Sequence, residues 1–151
     1  AVAVDQFDHD GGNNPGDDDG FLTVYVYGAG AALTADQKSG LEQSMQAQCA
    51  SILTMTVEHA TPVSVDVTAA VTKATGYDTT ELEAAIEAAL ESVWSWQASG
   101  FGADVEPLDV QAVIESVPGV DSVTSVTLPS TTVDVEFDEF AVIGTVSLTI
   151  S

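Results

Sequence analysis

The sequence predicts an α+β protein of two small α/β-sandwich-like units, each a mostly antiparallel sheet with helices on one face. Two observations carry this. Stretches with strand period and stretches with helix period follow one another as β-β-α-β and then β-α-α-β-β-β, neither strictly alternating nor segregated. The apolar share is also high, 45% of 151 residues, so the chain has the means to bury a core despite its charge. The break falls near Ala60–Pro62. It divides the chain into a βαβ unit, residues 1–60, with an acidic loop at 8–20, and an α+β unit, residues 61–151, with a C-terminal hairpin sheet.

Taken in order, Val2, Val4 and Phe7 alternate weakly and predict a short edge strand over residues 1–7. Residues 8–20 are rich in Asp, Asn, Gly and Pro and predict a loop. Phe21–Tyr27 is β-branched and aromatic, a strand that Gly28 and Gly30 stop. Thr34-x-x-Gln37 has capping-box spacing, and Leu41, Met45, Cys49 and Ile52 continue at helical spacing, so a helix is expected over 34–52. A short strand around Met55–Glu58 follows. From Val63 to Val71 the odd positions are apolar, while Ser64, Asp66 and Thr68 are polar, the pattern of a half-buried strand.

Beyond the turn at Gly76, Thr80-x-x-Glu83 repeats the capping-box spacing. Leu82, Ile86, Leu90, Val93 and Trp96 or Gln97 then trace one helical face, with most of the glutamates opposite. Gly100 and Gly102 break that helix. A short helix from about Leu108 to Val117 ends at Pro118-Gly119, because proline cannot continue a helix and glycine permits the reversal. Val120–Leu128 predicts a strand, Val133–Phe137 its antiparallel partner across a turn at Pro129–Thr131, and Thr145–Ile150 a last strand.

Charge sets the environment and excludes partners. Twenty-four Asp and Glu stand against Lys38 and Lys73, with no Arg, for a net charge of −22. Such a surface repels itself in dilute buffer. Screening shortens from about 10 Å at 0.1 M salt to about 3 Å at 1 M, which removes most of that cost. The composition therefore points to a halophile or a virus of one. Two lysines cannot release counterions from a phosphate backbone as nucleic-acid binding requires, and an anionic membrane is an equally poor partner. No apolar run reaches the length of a membrane span, and the first residues lack the basic and apolar regions of a secretory signal. A strand starting so close to Ala1 leads us to expect a fragment or a processed product.

The candidate chemistry is thin. Asp8, Asp10, Asp17 and Asp19 in the acidic loop are the calcium candidates. Gly12 stands where an EF-hand loop would place a third ligand and no Glu closes the loop, so a solvated loop is the better reading. Cys49 with His59 would make a thiol–base pair, but Cys49 lies on the apolar stripe of the expected helix. His9 and His59 lack zinc-ligand spacing. Carboxylate pairs such as Glu58 with Asp66, or Glu136 with Asp138, arise by chance among so many acids. No phosphate loop, nucleophile elbow or metalloprotease helix is present. We expect no catalytic residue, no cofactor and no small-molecule substrate. Trp94 and Trp96, two apart on one helix, cannot both face one core, so one is expected inside and the other at a contact.

The order of motifs is more telling. Thr61-Pro62-Val63-Ser64-Val65-Asp66-Val67 leads through Gly76-Tyr77-Asp78 into the amphipathic helix. Trp94–Gly102 then runs to the short helix and to Val117-Pro118-Gly119-Val120. This order resembles the C-terminal part of the baseplate J-like family of tailed-phage proteins, in which a P-V-x-V-x-V strand precedes a capped helix and a short helix ends in V-P-G-V. Phe21–Tyr27 with the helix from Thr34 resembles the family's preceding βα unit. The resemblance implies a wedge component of a virion's tail baseplate. Such a component joins copies of itself and other baseplate proteins in a ring around the hub and has no catalytic role. The acidity and the long loop depart from the family. Candidate interface residues are Trp94, Trp96, Val146, Leu148 and Ile150. The rival reading is a cell-surface adhesion module of a halophilic archaeon that binds calcium or glycan through the acidic loop.

Overall fold

A computed structural model describes residues 2–7, 20–27, 32–48 and 53–151. The chain divides into two compact units, Ala1–Thr61 and Pro62–Ser151.

In the first unit, β1 (Val2–Phe7) runs antiparallel to β2 (Gly20–Val26), and β2 runs parallel to β3 (Leu53–His59), giving the order β1-β2-β3. A parallel pair needs a crossover, and α1 (Ala35–Gln46) supplies it. The expected capping box is present: Gln37 N–H donates to the Thr34 hydroxyl at 3.3 Å, and the Gln37 side chain accepts from Thr34 N–H at 2.9 Å. Leu41 and Met45, with Leu33, cover the buried Val24, Val26 and Val57. The helix ends at Gln46, short of the expected residue 52, and Cys49 and Ile52 lie outside the described residues.

Among the described residues the second unit holds most of the core. Its sheet has the order β5-β4-β6, built from β4 (Thr61–Lys73), β5 (Val120–Leu128) and β6 (Glu139–Ile150). Val65, Val67, Ala69 and Val71 on one face of β4 pack with Leu82, Ile86 and Leu90 of α2 (Thr79–Val93). Val110 and Ile114 of α3 (Pro107–Glu115) join them. Burying each large aliphatic side chain stabilises the fold by about 1.5–3 kcal/mol. The helix α2 begins at Asp78, whose carboxylate accepts from Thr80 and Glu81 N–H at 2.9 and 3.2 Å. The Thr80-x-x-Glu83 spacing therefore misplaces the cap by two residues.

Three further expectations are corrected. Each sheet pairs one antiparallel with one parallel neighbour, so neither is mostly antiparallel: β4 runs antiparallel to β5. Ser151 N–H donates to Val71 C=O and its C=O accepts from Lys73 N–H, the parallel pattern, which makes β6 parallel to β4. The C-terminal hairpin sheet is also absent, because β4 lies between β5 and β6. Val133–Phe137 does not pair with β5. Val133 instead exchanges both backbone bonds with Val105, at 2.9 and 3.1 Å, and Val135 N–H donates to the Asp104 carboxylate at 2.9 Å. Strand period reports which residues face inward and is silent on the partner.

Candidate assembly surface

The residues singled out for contacts fall at one end of α2 and along β6. Val93 is the last helical residue, and Trp94 leaves helical geometry at φ −110°, ψ 81°. The Trp94 carbonyl, lost to the helix, accepts from Ile143 N–H of β6 at 3.2 Å. That bond ends the helix before the expected Trp96. The Trp94 side chain is buried at 8% exposure and belongs to the core, whereas Trp96 is half-buried in the turn that follows. Neither tryptophan lies on the helix, so helical spacing does not divide them; the turn after Val93 places Trp94 in the core and Trp96 half-buried.

In β6 two regions behave differently. The outer edge of its first part is covered, since Gly102 N–H donates to the Glu139 carbonyl and Ile143 bonds Trp94. Phe140 is buried, edge-on to Phe101 at 5.9 Å between ring centres. Gly144 and Thr145 are both exposed, which breaks the alternation as a β-bulge does. A side chain at Gly144 would collide with the Asp66 carboxylate and the Ser64 hydroxyl, and that carboxylate accepts from Thr145 N–H at 2.7 Å. Beyond the bulge Val146, Leu148 and Ile150 are half-buried against the core, and Ser147 and Thr149 are exposed. The three apolar side chains proposed for contacts therefore point into their own unit. What they leave at the edge is backbone.

Acids do structural tasks that sequence reading missed. Glu42 accepts from Val57 N–H at 3.1 Å, Asp78 caps α2, Asp104 holds Val135, and Glu139 accepts from Glu136 N–H at 3.2 Å. Of the pairs weighed for acid–base work, Glu58 is tied to Lys38 at 2.8 Å and Asp66 to Thr145. Lys73 donates to the Thr79 hydroxyl at 2.9 Å. His59 stacks on Tyr27 at 5.4 Å between ring centres. Its presumed partner Cys49 lies outside the described residues, as do Asp8, Asp10, Asp17, Asp19 and His9. Among the described residues no group of three His, Cys, Asp or Glu is placed to hold a metal ion, and no helix is long and apolar enough to cross a membrane.

The V-P-G-V turn is built into this unit. Gly119 has φ +103°, and its Cα lies under the Tyr77 ring, where an added Cβ would stand 2.5 Å from a ring carbon. The Gly119 carbonyl accepts from Ala74 N–H at 2.8 Å, and Val120 then pairs with Lys73. The turn thus seats β5 on β4.

Comparison with known proteins agrees with these features. The family described as the baseplate J-like protein C-terminal domain matches residues 65–149, more than half of the chain. Among solved structures, a chain of the anti-feeding prophage baseplate, determined by cryo-electron microscopy with six-fold symmetry, is similar in fold with a TM-score of 0.57 and 20% identity. The match covers 82% of this chain and 29% of that one. No curated protein matches. The chain therefore belongs to the baseplate J-like C-terminal domain family.

Proposed function

We propose that this chain is a structural component of a viral tail baseplate, part of the wedge or ring assembled around the tail hub, in a virus of a halophilic archaeal host. It joins copies of itself and other baseplate proteins and acts by contact, without catalysis, cofactor, nucleic acid or membrane. The family match over residues 65–149 carries the reading. The second unit, Pro62–Ser151, is the assembly unit, with Trp96 and the β6 edge as its contact elements.

Two features support the rest. The carboxylates of Glu42, Glu58, Asp66, Asp78, Asp104 and Glu139 are engaged by backbone N–H groups, a helix cap or an ion pair, structural tasks that suit a protein acting by contact. None of the three helices among the described residues has a basic residue in its last turn, although cations there stabilise a helix. α3 even ends on Glu115. High salt, by screening the carboxylates, lowers the cost of such helix ends. Immunogold labelling of intact particles tests the proposal. Gold confined to the tail tip is expected; gold on the capsid, or on host envelope alone, contradicts it.

A further inference from the structure

An edge strand offers a row of unpaired N–H and C=O groups, and proteins normally guard it with charge, proline or a covering segment. Among the described residues the sheets have four edge strands, β1, β3, β5 and β6. β1 carries Asp5, β3 carries Glu58, and β5 carries Asp121 and is followed by Pro129. β6 alone has no such guard after its first residue: residues 140–151 contain no charged side chain and no proline, in a chain of net charge −22.

The hydrogen bonds say which groups are on offer. Both backbone groups of Ser151 face β4, and Thr145 N–H is also turned to the β4 side, held by Asp66. Alternation then turns the N–H and C=O of Val146, Leu148 and Ile150 outward. Among the described residues nothing bonds them there, whereas the edge before Gly144 is covered.

The geometry points to this edge as a self-pairing site: β6 of a second copy of the chain adds antiparallel across a two-fold axis at Leu148. This rests on the baseplate reading for its setting and names the surface through which copies meet. Self-complementarity argues for a second copy as occupant. A strand whose outward residues are spaced two apart is its own partner in an isologous contact, with Val146 opposite the partner's Ile150 and Leu148 opposite the partner's Leu148. Charge argues the same way. Two bodies of −22 bring backbones within about 4.8 Å at least cost where neither presents carboxylates. On the open face Ser147 then lies opposite the partner's Thr149, without charge on either side.

That last pairing gives the test. The full chain is examined by sedimentation equilibrium in about 0.5 M KCl, where screening over roughly 4 Å suppresses long-range repulsion yet leaves charges in direct contact to act. Wild type is expected to dimerise. The double variant Ser147→Glu/Thr149→Glu sets like charges opposite each other twice and is expected to weaken the dimer roughly tenfold. Ser147→Lys/Thr149→Glu sets opposite charges face to face in the same register and is expected to restore it. Amide exchange at Val146, Leu148 and Ile150 should slow as wild-type concentration rises. Both altered positions are exposed, and unchanged circular dichroism of the variants checks that they fold. A wild type that stays monomeric, a dimer indifferent to the like-charge pair, or one that the opposite-charge pair does not restore overturns the proposal. Any of these would leave a tail-tip gold label standing, and a label elsewhere would leave the dimer standing, so the two readings fail separately.

Discussion

Gly119 and Tyr77 form a two-residue latch at the start of β5. Gly119→Ala forces a side chain into left-handed backbone, which costs about 1–2 kcal/mol, and drives a methyl into the Tyr77 ring. We expect a loss of at least that size by denaturant unfolding in high salt. Adding Tyr77→Ala should recover only the part due to the ring, a coupling that a double-mutant cycle isolates. Glu42 gives a second residue-scale prediction. Glu42→Gln keeps an acceptor for Val57 N–H and should change little, whereas Glu42→Ala strands a part-buried donor and should cost about 1–3 kcal/mol. Pro118-Gly119 was legible in the sequence because helix stop and reversal are local properties. The use of Glu42, Asp66 and Asp104 as backbone acceptors was not. Their partners lie 15 to 79 residues away, and with 24 acids no single one stands out.

At the scale of elements, α2 is the member on which the second core depends. Asp78→Ala removes its cap and should cost about 1 kcal/mol, while Ile86→Ala, at a fully buried position, should cost about 2–5 kcal/mol. Thermal unfolding of both variants in high salt checks the ranking. The apolar stripe Leu82-Ile86-Leu90 and the odd positions of β4 were legible, since period reports burial directly. The end of α2 was not, because Ile143, far along the chain, takes the Trp94 carbonyl. The pairing of Val133 with Val105 was hidden for the same reason: alternation marks Val133 and Val135 as inward and gives no address for their bonds. Likewise Val146, Leu148 and Ile150 stood out as apolar residues of a late strand, and only the sheet order shows that their side chains serve the core while their backbone borders the edge.

For the whole molecule, the excess of acids predicts a salt-dependent fold. Circular dichroism melting should show marginal or lost cooperativity near 50 mM salt and a melting temperature that climbs steeply to about 2 M, as screening removes self-repulsion. A melting temperature indifferent to salt would set the halophilic reading aside and leave the family membership untouched. The family itself was legible from motif order because each motif has a structural cause: an apolar-odd strand facing two helices, a capped helix, and a glycine turn latched by Tyr77. Cryo-electron microscopy of the native particle tests whether this chain has its place in the tail baseplate. A baseplate role predicts density around the tail hub that fits the β5-β4-β6 sheet with α2 and α3 and the side chains of residues 65–149. A baseplate resolved to side-chain detail with no density for this chain, or the chain found in the capsid or host envelope, would contradict it.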